Sequence, residues 1–320
     1  MQSSEWVVCK ATPLRMFTRP EGDRVDRKTA ADFDQGLLDL FDKYVHGDID
    51  RRGFLERAAK YAVGGMTAVM LLDQLSPRFA EAQQIPKDDK RLQASTVEFS
   101  SPQGQGKMRG YLVRPAGLTG KLPGVLVVHE NRGLNPHIED IARRIALEGF
   151  IAFAPDALAP LGGYPGDEDK ARELFAKLDQ AKVREDFVAA AGYLRSRPDC
   201  TGKIGVVGFC FGGGIANFVA TRLPYLAAAV PFYGAQPKTD DVPSIKAPLL
   251  IHYAEQDERI NAGIAAYEAA LKSSQVKFQI FIYPGTQHGF NNDTTPRYDA
   301  AAATLAWQRT LDFLAKKLAG

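Results

Sequence analysis

The sequence predicts an α/β fold in which a mostly parallel central sheet carries helices on both faces. Three observations carry this expectation. Short, apolar, β-branched runs alternate with amphipathic stretches of helical period, as a parallel sheet covered on both sides requires. One run, 204–209, passes into a helical pattern through Gly208-Phe209-Cys210-Phe211-Gly212 and two more glycines. Residues able to do chemistry fall just after the runs, at the carboxyl ends of strands, where open α/β sheets form their sites.

The 320 residues suit one large α/β domain or two small ones. Hydrophobic residues at 45% and charged residues at 24% describe an ordinary globular chain, and a net charge of +2 gives no reason to expect nucleic acid. Cys9, Cys200 and Cys210 form neither a disulfide framework nor a zinc signature. The strand between Cys200 and Cys210 would separate them by roughly 20 Å at ~3.3 Å per residue. A disulfide needs α-carbons within about 7 Å, so Cys210 is expected to be free of Cys200.

Residues 1–82 read as a leader. The first 27 are polar, without periodicity, and are expected to be disordered. Phe33, Leu37, Leu40, Phe41 and Tyr44 recur at helical spacing and predict a short amphipathic helix. Arg51 and Arg52 then precede Phe54-Leu55, an apolar run over 61–72 and Ala80-Glu81-Ala82. Together these resemble a twin-arginine export signal, with the export machinery as partner and a periplasmic or exported location. Without such a signal the location would be cytoplasmic. An ordinary helical hairpin carrying two arginines is the other reading. The run is too short for a membrane span, which needs about 20 residues, so no permanent span is expected.

The domain proper is 83–320. Residues 95–99 and 108–114 alternate polar and apolar around a Gln-Gly turn and predict an opening antiparallel pair. Residues 124–129 read as a buried central strand, 138–147 as an amphipathic helix ended by Gly149, and 151–154 as the next strand. Residues 168–178 and 183–194 have helical period. After the glycine-rich turn come an apolar run at 226–233, a strand at 248–253, a helix at 262–271, a last strand at 277–283 and a closing helix at 305–318.

The G-x-C-x-G stretch is a nucleophile elbow with sulfur in place of the usual serine oxygen. A strand turning into a helix within one residue forces that residue into strained backbone angles. Side chains two positions to either side would collide with the turn, so both are glycine. The central side chain stands above the sheet at a helix N-terminus, which favours thiolate. A buried structural cysteine is the plain alternative. A phosphate loop lacks its lysine, and G-x-G-x-x-G is absent.

Four candidates end strands: Glu130, Cys210, Asp257 and His288. The chain order of nucleophile, acid and base is that of the α/β-hydrolase fold. His288 would exchange protons with the thiol and the leaving group, and Asp257 would fix its tautomer. The N–H groups of Asn131 and Phe211 would hold the oxyanion. Each residue has a structural alternative: His288 as a packed histidine, Asp257 as a helix cap, Glu130 as a loop carboxylate paired with Arg132. Glu255 competes with Asp257 for the acid role. His129, Glu130 and His137 lack metal-site spacing, so neither metal nor other cofactor is expected. Tyr164, Tyr233 and Phe211 could line a pocket.

At these residues the chain resembles the dienelactone hydrolase (carboxymethylenebutenolidase) family of α/β-hydrolases. The likeness rests on G-V-V-G-F-C-F-G-G at 205–213, Val127-Val128-His129-Glu130, Asp257, His288-Gly289-Phe290 and R-T-L-D-F-L at 309–314. It implies a Cys210-His288-Asp257 triad, a Glu130 that contacts the resting thiol, and a Tyr233 near the substrate. The implied activity is hydrolysis of a small ester or lactone through an acyl-thioester. A family arginine that grips a substrate carboxylate falls on Asn292 here, with Glu168, Lys170 and Arg172 in the region of the other. Arg297 is a possible substitute. The motif therefore points to thiol-dependent hydrolysis more firmly than to dienelactone. A non-catalytic ligand-binding protein on the same scaffold is the rival from another class. A serine esterase is excluded by the residue at the elbow.

Overall fold

The computed structural model describes residues 28–79 and 83–319. The expected disorder of 1–27, Cys9 and the Ala80-Glu81-Ala82 site lie outside them.

One eight-stranded sheet forms the centre. Its strands are β1 (Leu92–Ser101), β2 (Gly106–Pro115), β3 (Leu122–Val128), β4 (Ile151–Pro155), β5 (Cys200–Phe209), β6 (Ala228–Phe232), β7 (Leu249–Gln256) and β8 (Phe278–Gln287). Their spatial order is β1-β2-β4-β3-β5-β6-β7-β8. β1 and β2 are antiparallel, β2 runs antiparallel to β4, and every other neighbouring pair is parallel. The predicted opening hairpin and parallel body are both present.

The strand interiors show why both faces need cover. Along β5, Ile204 and Val206 enter one apolar cluster, while Val207 and Phe209 enter the other. Successive side chains point to opposite faces, so an unbroken apolar run supplies both. Helices Pro136–Leu147 and Ala300–Leu318 pack on the face of Val207. Helices Gln180–Ser196 and Phe211–Arg222 close the other.

The described N-terminal residues 28–79 are folded. Their helices are α1 (Gln35–His46), α2 (Arg51–Ala58) and α3 (Ala68–Leu75). Asp34 caps α1, and Gly47, at φ 86°, ends it in the left-handed conformation that glycine tolerates. Leu37, Phe41, Tyr44, Phe54, Leu72 and Leu75 form a third, separate core. The apolar run 61–72 is not one helix. Gly64 and Gly65, both at positive φ, break it, and Val63, Val69 and Met70 stay exposed. Among the described residues no helix is long and apolar enough to cross a membrane.

The leader core is apolar, but it docks through polar contacts. Arg51 binds Asp169 at 2.8 Å, Gln35 and Gln287 exchange hydrogen bonds, and Asn131 donates to the Val45 carbonyl at 2.8 Å. Arg172 stacks over the Tyr44 ring at 4.2 Å. These contacts set the carboxyl end of α1 against the carboxyl ends of the strands.

Candidate active site

Cys210 ends β5 and starts the helix Phe211–Arg222 with φ 55° and ψ −113°. This is the strained turn the motif implies. The flanking glycines are required by contact. A Cβ on Gly208 would lie 1.9 Å from the Gly212 carbonyl oxygen, and one on Gly212 would lie 2.3 Å from the Val128 oxygen. Gly213 is equally confined, by the Phe232 oxygen at 2.5 Å.

His288 follows β8, and its Nδ1 meets Asp257 Oδ2 at 2.6 Å. The carboxylate thereby fixes the proton on Nδ1 and leaves Nε2 for chemistry. Asp257 caps as well, since its Oδ1 accepts from the Ile260 N–H at 3.4 Å. One carboxylate performs both functions considered for it. Glu255 is turned away and accepts from the Gly285 N–H. Cys210 Sγ and a ring nitrogen of His288 lie within 4.8 Å, and the buried His288 Nε2 has no hydrogen-bond partner. Sulfur, imidazole and carboxylate are thus assembled from three separate strand ends.

Burial by itself would raise the Cys210 pKa, but the imidazoles of His288 and His46 outweigh it and bring the thiol to about 6. Burial likewise disfavours the His288 imidazolium, yet the Cys210 thiolate and Asp257 together lift it to about 10. Around neutrality the site therefore favours a thiolate–imidazolium pair.

Arrangement and sequence agree on the family. The chain belongs to the dienelactone hydrolase family. The family model matches residues 108–318, and a second model, described as YqhI-like, matches 25–60. A putative carboxymethylenebutenolidase of Escherichia coli K12 is 35% identical over 254 residues, covering 74% of this chain and 92% of its own. A putative hydrolase fragment, YghX, of the same organism is 54% identical over 114 residues, covering 36% of this chain and 97% of its own. The crystal structure of a putative dienelactone hydrolase from Klebsiella pneumoniae superposes with a TM-score of 0.62 at 32% identity, covering 70% of this chain and 99% of that one. Cys210, His288 and Asp257 accordingly form the Cys-His-Asp centre of a family hydrolase.

Other expected site residues stand nearby. Tyr233 is buried at φ 36°, its ring centred 5.0 Å from that of His288, and its hydroxyl has no hydrogen-bond partner. Phe211 opens its helix, where backbone N–H groups lack intrahelical acceptors. Asn131 lies at the mouth, its side chain held by the leader. Glu130 accepts from Asn292 at 2.9 Å. The pairing of Glu130 with Arg132 considered above is not formed; Arg132 binds Asn131 and faces Glu168 at 3.5 Å. Asn292 supports Glu130 and is not among the residues lining the cavity at Cys210. Tyr164 bonds Glu168 and also stays out of that lining. His129 lies one residue past β3 and is packed away, and burial pushes its pKa down to about 4. His137 faces Asp293 at 3.2 Å, away from both His129 and Glu130.

Sequence reasoning missed one partner of the thiol. His46, the last residue of α1, places Nε2 3.3 Å from Cys210 Sγ. Its Nδ1 faces the Asp42 carbonyl at 2.8 Å and Asp42 Oδ2 at 3.2 Å. Asp42 in turn binds Arg297 at 3.1 Å. The available signal was a carboxylate and a histidine four apart at the end of an amphipathic helix, a spacing that puts both on one face.

Proposed function

We propose that the protein hydrolyses small esters or lactones through an acyl-thioester on Cys210. The observation that carries this reading is the 2.6 Å contact of His288 with Asp257 beside a thiol raised on a strained elbow. The thiolate adds to the carbonyl carbon, and the departing oxygen takes a proton from His288. His288 next removes a proton from water, and the resulting hydroxide releases the acid from sulfur. The Phe211 and Asn131 N–H groups are assigned to the developing oxyanion, and Tyr233 and Glu130 to the substrate and thiol surroundings.

The cavity at Cys210 measures about 700 Å³, with Phe175, Phe211, Ile215, Phe218 and Tyr233 among its walls. Its size and apolar walls suit a small acyl group. Arg297, the candidate carboxylate grip, is engaged by Asp42, and Asn292 by Glu130. Arg172, Arg184, Lys238 and Arg259 line the cavity, so the substrate class is a small ester or lactone with or without a carboxylate. The test is a panel of p-nitrophenyl esters and of lactones with and without a free carboxylate. Hydrolysis confined to the carboxylate-bearing lactones would assign these cations to a carboxylate grip. Turnover of none would favour the binding-protein reading.

A leader over 1–82 ahead of a hydrolase domain over 83–320 belongs to the same proposal. Export by the twin-arginine machinery is proposed on the Arg51-Arg52 pattern and the small residues Ala80 and Ala82. The N-terminal residue of protein recovered outside the cytoplasm tests it: a start at Gln83 would mean cleavage and an exported form without α1 and His46, and a start ahead of α1 would mean that the segment stays in place.

A further inference from the structure

Two histidine–carboxylate pairs bracket one sulfur. Asp257 holds His288 on one side, and Asp42 holds His46 on the other. The imidazole rings meet edge to face with centroids 4.8 Å apart. The His46 ring lies in hydrogen-bond geometry 3.3 Å from the thiol, and the His288 ring faces the same sulfur within 4.8 Å. We propose that His46 is a second catalytic residue, which takes the Cys210 thiol proton and holds the sulfur ionised through the cycle. In the uncleaved chain the N-terminal segment then completes the active site and does more than cover it. This assignment rests on the hydrolase reading for its place in turnover.

The tautomer follows from the surroundings. Both neighbours of His46 Nδ1 are acceptors, the Asp42 carbonyl and carboxylate, so Nδ1 carries a proton and Nε2 offers its lone pair. Two donors compete for that lone pair: the thiol at 3.3 Å and Arg259 Nη2 at 2.9 Å. Arg259 is 41% exposed, with its Nε 3.9 Å from Asp42 Oδ2. It can therefore leave Nε2 for Asp42 when the proton arrives.

The protons balance. The S–H bond breaks as the Nε2–H bond of His46 forms, leaving thiolate against imidazolium. In acylation the leaving oxygen takes its proton from His288, not from His46. In deacylation His288 regains one from water, and the sulfur departs as thiolate to face His46 again. Two imidazoliums side by side repel, but the thiolate, Asp42 and Asp257 offset them with three negative charges. Arg132, Glu130, Arg297 and Asp293 are further charged groups that act on Cys210 or its neighbours.

The test is the pH profile of Cys210 alkylation by iodoacetamide in the full-length chain, which needs no substrate. His46→Gln keeps the side-chain volume and cannot take a proton. It is expected to move the acid inflection up by about one unit, the effect of losing one opposite charge at hydrogen-bond distance, and so to slow alkylation about twofold at pH 7 and about tenfold at pH 5. Asp42→Asn is expected to give a smaller shift of the same sign. Unchanged or faster alkylation in His46→Gln would overturn the proposal and make α1 a plug over the site. If His46→Gln does not fold, Asp42→Asn decides on the same criterion. A His46-dependent profile in a chain that turns over no ester would keep the His46 assignment to the thiol and sink the hydrolase reading instead.

Discussion

Arg297 and Asp42 meet at 3.1 Å across most of the chain, joining the loop after His288 to the leader helix that carries His46. Arg297 is nearly buried and also stacks over the Phe41 ring at 5.2 Å. The contact fixes α1 on the mouth of the site. Arg297→Ala is expected to loosen α1 by on the order of 2 kcal/mol, the worth of a hydrogen bond between charged groups. Hydrogen exchange should quicken in α1 and leave β3 and β5 unaffected. Equal loss of protection across the sheet would show that Arg297 supports the whole fold.

Cys210→Ala should abolish ester turnover without unfolding the protein, because the smaller side chain leaves the elbow backbone and its glycines in place. Circular dichroism and turnover assays read the two effects separately. Wild-type rates in this variant would remove Cys210 from the mechanism.

His288→Gln and Asp257→Asn should each cost on the order of 10²–10⁴ in rate. The same side chain caps the segment at Ile260. An asparagine oxygen keeps that cap, so a loss of thermal stability is expected for Asp257→Ala beyond any in Asp257→Asn. Steady-state kinetics and a melting curve on each variant check the pair.

The pH dependence of kcat/KM should be bell-shaped. The Cys210 thiol is held at about 6, so the nucleophile is lost as pH falls through that value. His288 is held at about 10, so the proton for the leaving group is lost as pH rises through that value. Activity should be broad between the two limbs. A single limb near pH 9, the ordinary range for a thiol, would mean that neither imidazole acts on the sulfur.

Gly212→Ala should destroy the site outright. Its Cβ would meet the Val128 oxygen at 2.3 Å, and backbone there cannot yield as a flexible side chain would. Loss of soluble, folded protein, or of alkylation at Cys210, is expected from expression and labelling assays.

The sequence by itself determined the layered sheet, because runs such as 204–209 are apolar on both alternate faces and can be satisfied only between two helical layers. It also determined the elbow, since a turn closed to 1.9 Å at Gly208 admits no other residue, and it marked Asp257 and His288 by their position after strand ends. Local pattern was enough wherever backbone sterics or strand period settled the outcome. The N-terminal helices were different. Their helical spacing was legible, but the direction of α1 was not, because its seat is set by side chains from distant parts of the chain. Arg297, Gln287, Asn131, Arg172 and Asp169 all meet it only after the sheet has closed. The same dependence hid His46. Its contact with Cys210 spans 164 positions and exists only once two separately cored units have docked, so tertiary structure alone brought a second imidazole to the sulfur.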